Sequence, residues 1–149
     1  MNVVTRIMRQ HRHIHRLQCA LAMAPDVDED AMATLGEAVS IHAGTTEALL
    51  ATLRDEAIER DASAHRIHHA RARLFLFRLA TCPITEVTRE RSLLAGVLRE
   101  HALHEAKVLQ NLMRAFGEDR LEVLGTQMSL IDPQLVCVPT AVSRHGRCA

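Results

Sequence analysis

Residues 93–113, LLAGVLREHALHEAKVLQNLM, constrain this chain more than any other stretch. Leu94, Leu98, His101, Glu105, Val108 and Leu112 recur at alternating steps of four and three. That is the spacing of one face of an α-helix. The centre of the apolar face therefore carries an imidazole and a carboxylate, one turn apart and within roughly 40° of each other about the helix axis. Burying both is costly unless each is paired or bound to a metal. A fold that accommodates this helix must bring matching polar groups from its other elements to the same level.

Three earlier segments repeat the design. Residues 3–24 read as helix 1, with Val4, Ile7, Met8, His11, Ile14 and Leu21 on one face and Pro25 as the stop. His15 lies one turn beyond His11, on the same expected inward side, and His13 points the opposite way. The acidic connector 26–30 suits a helix N-terminus. Helix 2 is expected over 29–59, with a stripe of Leu35, Ala38, Val39, His42, Thr46, Leu49, Leu50 and Leu53. Asp61 is the expected cap of helix 3, which runs to about residue 81 with His65, His69, Ala72, Leu76 and Leu79 inward. Leu74 and Phe77 fall on its outer side, a surface for a homodimer. After Cys82-Pro83, helix 4 covers 85–116 and Gly117 serves as its C′ residue. A short helix over 119–128 and an irregular tail close the chain.

Four long amphipathic helices joined by short breaks predict an all-α, up-down-up-down antiparallel four-helix bundle, with a short extra C-terminal helix. The expected organisation is one bundle over residues 1–129 and a tail over 130–149. The chain is long enough to bury a core without staples. Its formal net charge is zero and it has no long basic run, which disfavours nucleic acid or an anionic membrane as partner. No run of about 18 apolar residues or signal-peptide core is present, so the expected location is the cytoplasm. Cys19, Cys82, Cys137 and Cys148 form no C-x-x-C pair and are expected as free thiols.

Each long helix thus has a histidine near the centre of its core face: His11, His42, His65 and His101. One such residue is ordinarily a hydrogen-bonded core histidine. Four at one level make a polar cluster that packing alone does not require. Inward side chains on facing helices are how bundles build metal sites. Many imidazoles with few carboxylates suit iron, zinc, copper or nickel better than magnesium or calcium. The Glu-x-x-His motif of di-iron carboxylate bundles is absent, since no histidine has a glutamate three residues before it. H-E-x-x-H is absent too, and with it support for a zinc protease. The chain has no tyrosine, so phenolate ligands and tyrosyl radicals are excluded.

The order of these motifs resembles the hemerythrin-like family, the HHE cation-binding domains. MRQHRHIHRL looks like the first-helix motif and gives His11; IHAGTTEALL is similar to the second and gives His42. AHRIHH resembles the third and gives His65; REHALHEAKVL matches the fourth and gives His101 and Glu105. His69, one turn after His65, is similar to the His-x-x-x-His on this helix in oxygen-carrying members. The chain departs from the pattern four residues after His42, where the family's glutamate is replaced by Thr46. Glu47 lies about 140° round the helix from His42, directed away from the core.

The resemblance implies a metal set of His11, His42, His65, His69, His101 and Glu105, with His15, Glu47 and His104 as further candidates. It implies non-haem iron, in a di-iron or a mononuclear site, with zinc as another metal that fits imidazole. It implies handling of dioxygen, nitric oxide, peroxide or iron itself. Binding or sensing is favoured over turnover, because no general acid or base is placed beyond the ligands. The alternative is a bundle that has lost its metal and serves as an interaction module. His13 and His68 are expected as solvated or rim residues.

Overall fold

A computed structural model describes residues 2–53 and 56–131, and the side chains of these except 56–59 and 131. The fold is all-helical, with no strand among the described residues. Helix α1 spans Val3–Met23, α2 Glu29–Leu53, α3 Glu56–Thr81 and α4 Val87–Ile131, with one 3-10 turn at Ile84–Glu86 before α4. The Asn2 side chain caps α1 by accepting from the Val4 N–H at 2.9 Å. Asp28 does the same for α2, accepting from the Asp30 N–H at 3.0 Å. Helix α4 is broken at Gly117, whose φ of 72° and ψ of 166° are reached readily only without a Cβ. The separate closing helix expected after Gly117 is therefore present, as residues 118–131. No described helix is long and apolar enough to cross a membrane.

The helices pack in a ring, α1 on α2, α2 on α3, α3 on α4 and α4 on α1. The interior is divided lengthwise into two apolar clusters. One joins Val3 and Ile7 of α1 with Leu49, Leu50 and Leu53 of α2, Val108, Leu109 and Leu112 of α4, and Leu121, Leu124 and Met128 beyond Gly117. The other joins Ile14, Leu21, Leu35, Val39, Ala72, Leu76, Leu79, Leu94, Val97 and Leu98. A fully buried leucine contributes roughly 1.5–3 kcal/mol. The turns left between the clusters are 10–11 on α1, 42–46 on α2, 65–69 on α3 and 101–105 on α4. They carry the polar residues, so the polar interruption seen on helix 4 is one wall of a layer that crosses the bundle.

Three sequence expectations are corrected. Helix 2 does not extend to residue 59: α3 begins at Glu56, and Asp61 lies within it rather than capping it. Met8 is 45% exposed instead of in the core. His13 is buried at 5% exposure rather than solvated. Helix α1 buries a second stripe, Arg6, Gln10 and His13. The turns after Gly117 cover part of it, and the Arg6 guanidinium donates to the Gly125 carbonyl at 3.4 Å. The tail expected over 130–149 lies outside the described residues beyond 131.

Candidate metal centre

Glu105 is fully buried, and the layer is arranged around it. Its Oε2 faces His11 Nε2, a close contact, and His42 Nε2 at 3.1 Å. Its Oε1 faces His65 Nε2 at 2.8 Å and accepts from the Thr46 hydroxyl at 2.8 Å. His101 Nε2 lies 3.0 Å from His42 Nε2 and 4.0 Å from Glu105 Oε2. His69 completes the ring of imidazoles, its centroid 4.7 Å from that of His101 and 5.4 Å from that of His65. The layer thus draws at least one imidazole from every helix, and all of these rings except His11 are almost entirely enclosed.

These groups fall into two sets of metal-ligand atoms. His11, His42, His101 and Glu105 offer atoms within 4.8 Å of one another, and so do His65, His69 and Glu105. Ligands bound to one ion at about 2.0–2.2 Å lie no farther apart than about 4.4 Å. Each set is therefore close enough to hold a metal ion with small side-chain adjustments. Glu105 belongs to both, with one oxygen toward His11 and His42 and the other toward His65. One carboxylate can therefore join two ions.

The electrostatics suit cation binding. Burial lowers the His42 and His101 imidazoles more than Glu105 raises them, and brings His69 down to about 4 against its hydrogen bond to Glu47. They are neutral at pH 7, so a cation entering the layer would meet no charged imidazole among these three. Burial alone would raise the Glu105 carboxyl. His42, together with hydrogen bonds from His11, His42 and His65, outweighs that and holds it well below its ordinary range. His69 Nε2 is enclosed and has no hydrogen-bond partner among the described residues. Such an atom is costly to bury, and a metal bond would satisfy it.

Outer contacts orient the rings. His69 Nδ1 donates to Glu47 Oε1 at 3.1 Å, and His42 Nδ1 lies 3.4 Å from Gln10 Oε1. Gln10 is held in turn by its amide bond to the Thr45 hydroxyl at 3.0 Å. Such partners fix the tautomer and the direction of a ligating ring. Neither Gln10 nor Thr45 was singled out from the sequence. Their signal was polarity on the buried side next to His11 and His42.

No family model, no curated protein and no solved structure matches this chain. The residues of the site therefore stand on their own geometry. The structure brings together His11, His42, His65, His69, His101 and Glu105. Of the further candidates, His15 is exposed and faces Cys19 at 3.6 Å instead of the layer. His11 already sits at the rim, and another 40° of turn carries His15 outside. Glu47 touches only the outer nitrogen of His69, and no distortion of α2 is needed for that. His104 lies behind His65, its ring centre 5.2 Å away, and belongs to neither set.

Proposed function

We propose that the chain is a metal-binding bundle of the hemerythrin-like kind. Its helices would run up-down-up-down and antiparallel, and it would hold a pair of non-haem irons that bind or sense dioxygen, nitric oxide or peroxide. The observation that carries this reading is the pair of ligand sets sharing Glu105. His11, His42 and His101 would hold one ion, His65 and His69 the other, and Glu105 both. Bound iron would supply a Lewis-acidic, redox-active centre with room for a small ligand. The imidazoles and Glu105 would hold it, Glu47 and Gln10 fix two of those imidazoles, and the two apolar clusters flank the layer on either side.

Access is best on the α1–α4 side. His11 is 16% exposed, whereas the other five ligand side chains are at most 4% exposed. A groove of about 270 Å³, lined by Ile14, Leu98 and Ala102 with His15 and Arg99, reaches His11. It would give a diatomic molecule or peroxide a route to the ligand at the rim of the layer.

The test is metal analysis of protein prepared anaerobically with Fe(II), followed by absorption spectroscopy on exposure to dioxygen. About two irons per chain and a new charge-transfer band are expected. Substoichiometric iron with no band would overturn the reading. The competing reading is an interaction module without metal. It draws on Leu74 and Phe77, 54% and 65% exposed, beside a groove of about 370 Å³ formed with Met32 and Leu76. A homodimer through that face would be its product.

A further inference from the structure

Two histidines of the α3–α4 seam remain outside both ligand sets. His68 and His104 face each other from adjacent helices, with ring centres 4.8 Å apart and planes 24° apart. Both are half-buried, so solvent reaches the pair. His68 Nδ1 and His104 Nε2 are nevertheless enclosed and have no hydrogen-bond partner among the described residues. A neutral imidazole carries one donor and one acceptor. Placing two such rings together with an unserved nitrogen on each costs free energy that a solvated face would avoid. Behind the pair lie His65, 5.2 Å from His104, and His101, 6.1 Å from His68. His65 and His101 turn Nε2 inward and leave Nδ1, on the other side, without a partner among the described residues.

We propose that His68 and His104 form an outer, exchangeable site for a divalent transition-metal cation, the point on the α3–α4 seam from which the core is loaded. The spacing fits. A cation bound at about 2.1 Å by one nitrogen of each ring needs ring centres roughly 5 Å apart at a tetrahedral angle, and the nearly parallel planes require one ring to turn about its Cβ–Cγ bond so that both lone pairs point at the ion. Imidazole ligation selects Zn(II), Fe(II) or Co(II) over magnesium or calcium. Two protein ligands, with water completing the shell, make the site weaker than the core sets and therefore able to release its ion. Asp61 lies beside His104, where it outweighs Lys107, and Glu100, paired with Arg71 at 2.9 Å, lies beside His68. The loading role rests on the core holding metal; the outer site itself does not.

The experiment is a Zn(II) titration of chelator-treated protein by calorimetry, on the wild type, the double variant His68→Gln with His104→Gln, and Glu105→Gln. The wild type is expected to take one weakly held ion beyond its tight ones. The double variant should bind that ion at least about tenfold more weakly and keep the tight ions, and Glu105→Gln should do the reverse. Each single glutamine variant, with one imidazole left, should also weaken it, which covers a double variant that fails to fold. A weak isotherm unchanged by these substitutions overturns the outer site. A weak ion lost in the double variant, with no tight ions in any protein, upholds the outer site and removes the core reading. Stopped-flow loading of the tight ions should slow in the double variant; an unchanged rate overturns the loading role.

Discussion

Replacing Glu105 with glutamine is the sharpest perturbation of the proposed centre. The side chain keeps its volume but loses its charge, and its two oxygens serve different ligand sets, Oε2 toward His11 and His42 and Oε1 toward His65. One substitution therefore removes the anionic donor from both ions, whereas a change at His69 touches one set alone. Loss of an outer contact to a ligand already weakens metal binding by about 10–100-fold, so loss of the shared carboxylate should cost at least about 100-fold. At a Zn(II) concentration 100 times the wild-type dissociation constant, one bound ion stabilises the fold by about 2.7 kcal/mol. For a chain of this length that raises Tm by roughly 5–11 °C. With affinity down 100-fold the same concentration only half-fills the site, giving about 0.4 kcal/mol and a rise of about 1–2 °C. Differential scanning fluorimetry with and without Zn(II) reads the difference, and circular dichroism of the variant checks its helices. An equal rise in wild type and folded Glu105→Gln would refute the assignment of Glu105 to both ions. No rise in either would favour the interaction module.

Two further predictions use the surroundings of the layer. In the unfolded chain the His69 imidazole takes its proton near 6.5, but in the fold only at about 4. The unfolded state binds more protons between these values, so stability should fall as pH drops from 6.5 to 4, by about 3 kcal/mol from this residue. The depressed Glu105 contributes stability that is lost only at lower pH, as its folded-state value is crossed. Urea denaturation at pH 7 and pH 4.5 measures this, and equal midpoints would contradict it. Glu47→Gln weakens the anchor of His69 Nδ1 at an exposed position, so it should reduce affinity for the ion of the His65–His69 set by about 10–100-fold. Competitive Zn(II) titration should find the other ion unaffected; equal weakening of both would argue against two separable sets.

The part of the site that lies on the main apolar stripes was legible from spacing. His42, His65, His69, His101 and Glu105 interrupt those stripes at helical periods, and all are buried where the stripes meet. What escaped follows from helix α1, which buries two faces. The second face hid His13 and Gln10, because nothing in the sequence announces that Arg6 on that stripe meets the turns after Gly117 while Gln10 meets Thr45 of α2. His15 was misplaced for the complementary reason, since a stripe drawn through His11 leans past the rim on which His11 sits. The α2–α3 boundary was invisible because residues 54–60, RDEAIER, contain neither glycine nor proline and favour helix throughout. Pro25, Pro83 and Gly117, which physically cannot or need not continue a helix, marked the other breaks to within a few residues.

Thr46 shows how the layer manages with a single carboxylate. A glutamate there would stand opposite Glu105, and without cations the two like charges would meet in a core that excludes water. Threonine supplies a donor instead. Its hydroxyl serves the Glu105 oxygen that also faces His65, so that oxygen accepts from two protein groups while the other faces His11 and His42. The one buried charge is thereby compensated by groups of the chain itself. Four of its neighbours are fixed by the helices that carry them, and the apolar clusters on either side hold those helices together irrespective of what lies between. Such a bundle can fold before it binds an ion. On the proposed reading metal would arrive at a formed and closed interior, and a closed interior needs a point of access: the groove at His11 would serve small ligands, and the paired imidazoles of the α3–α4 seam would serve the cations.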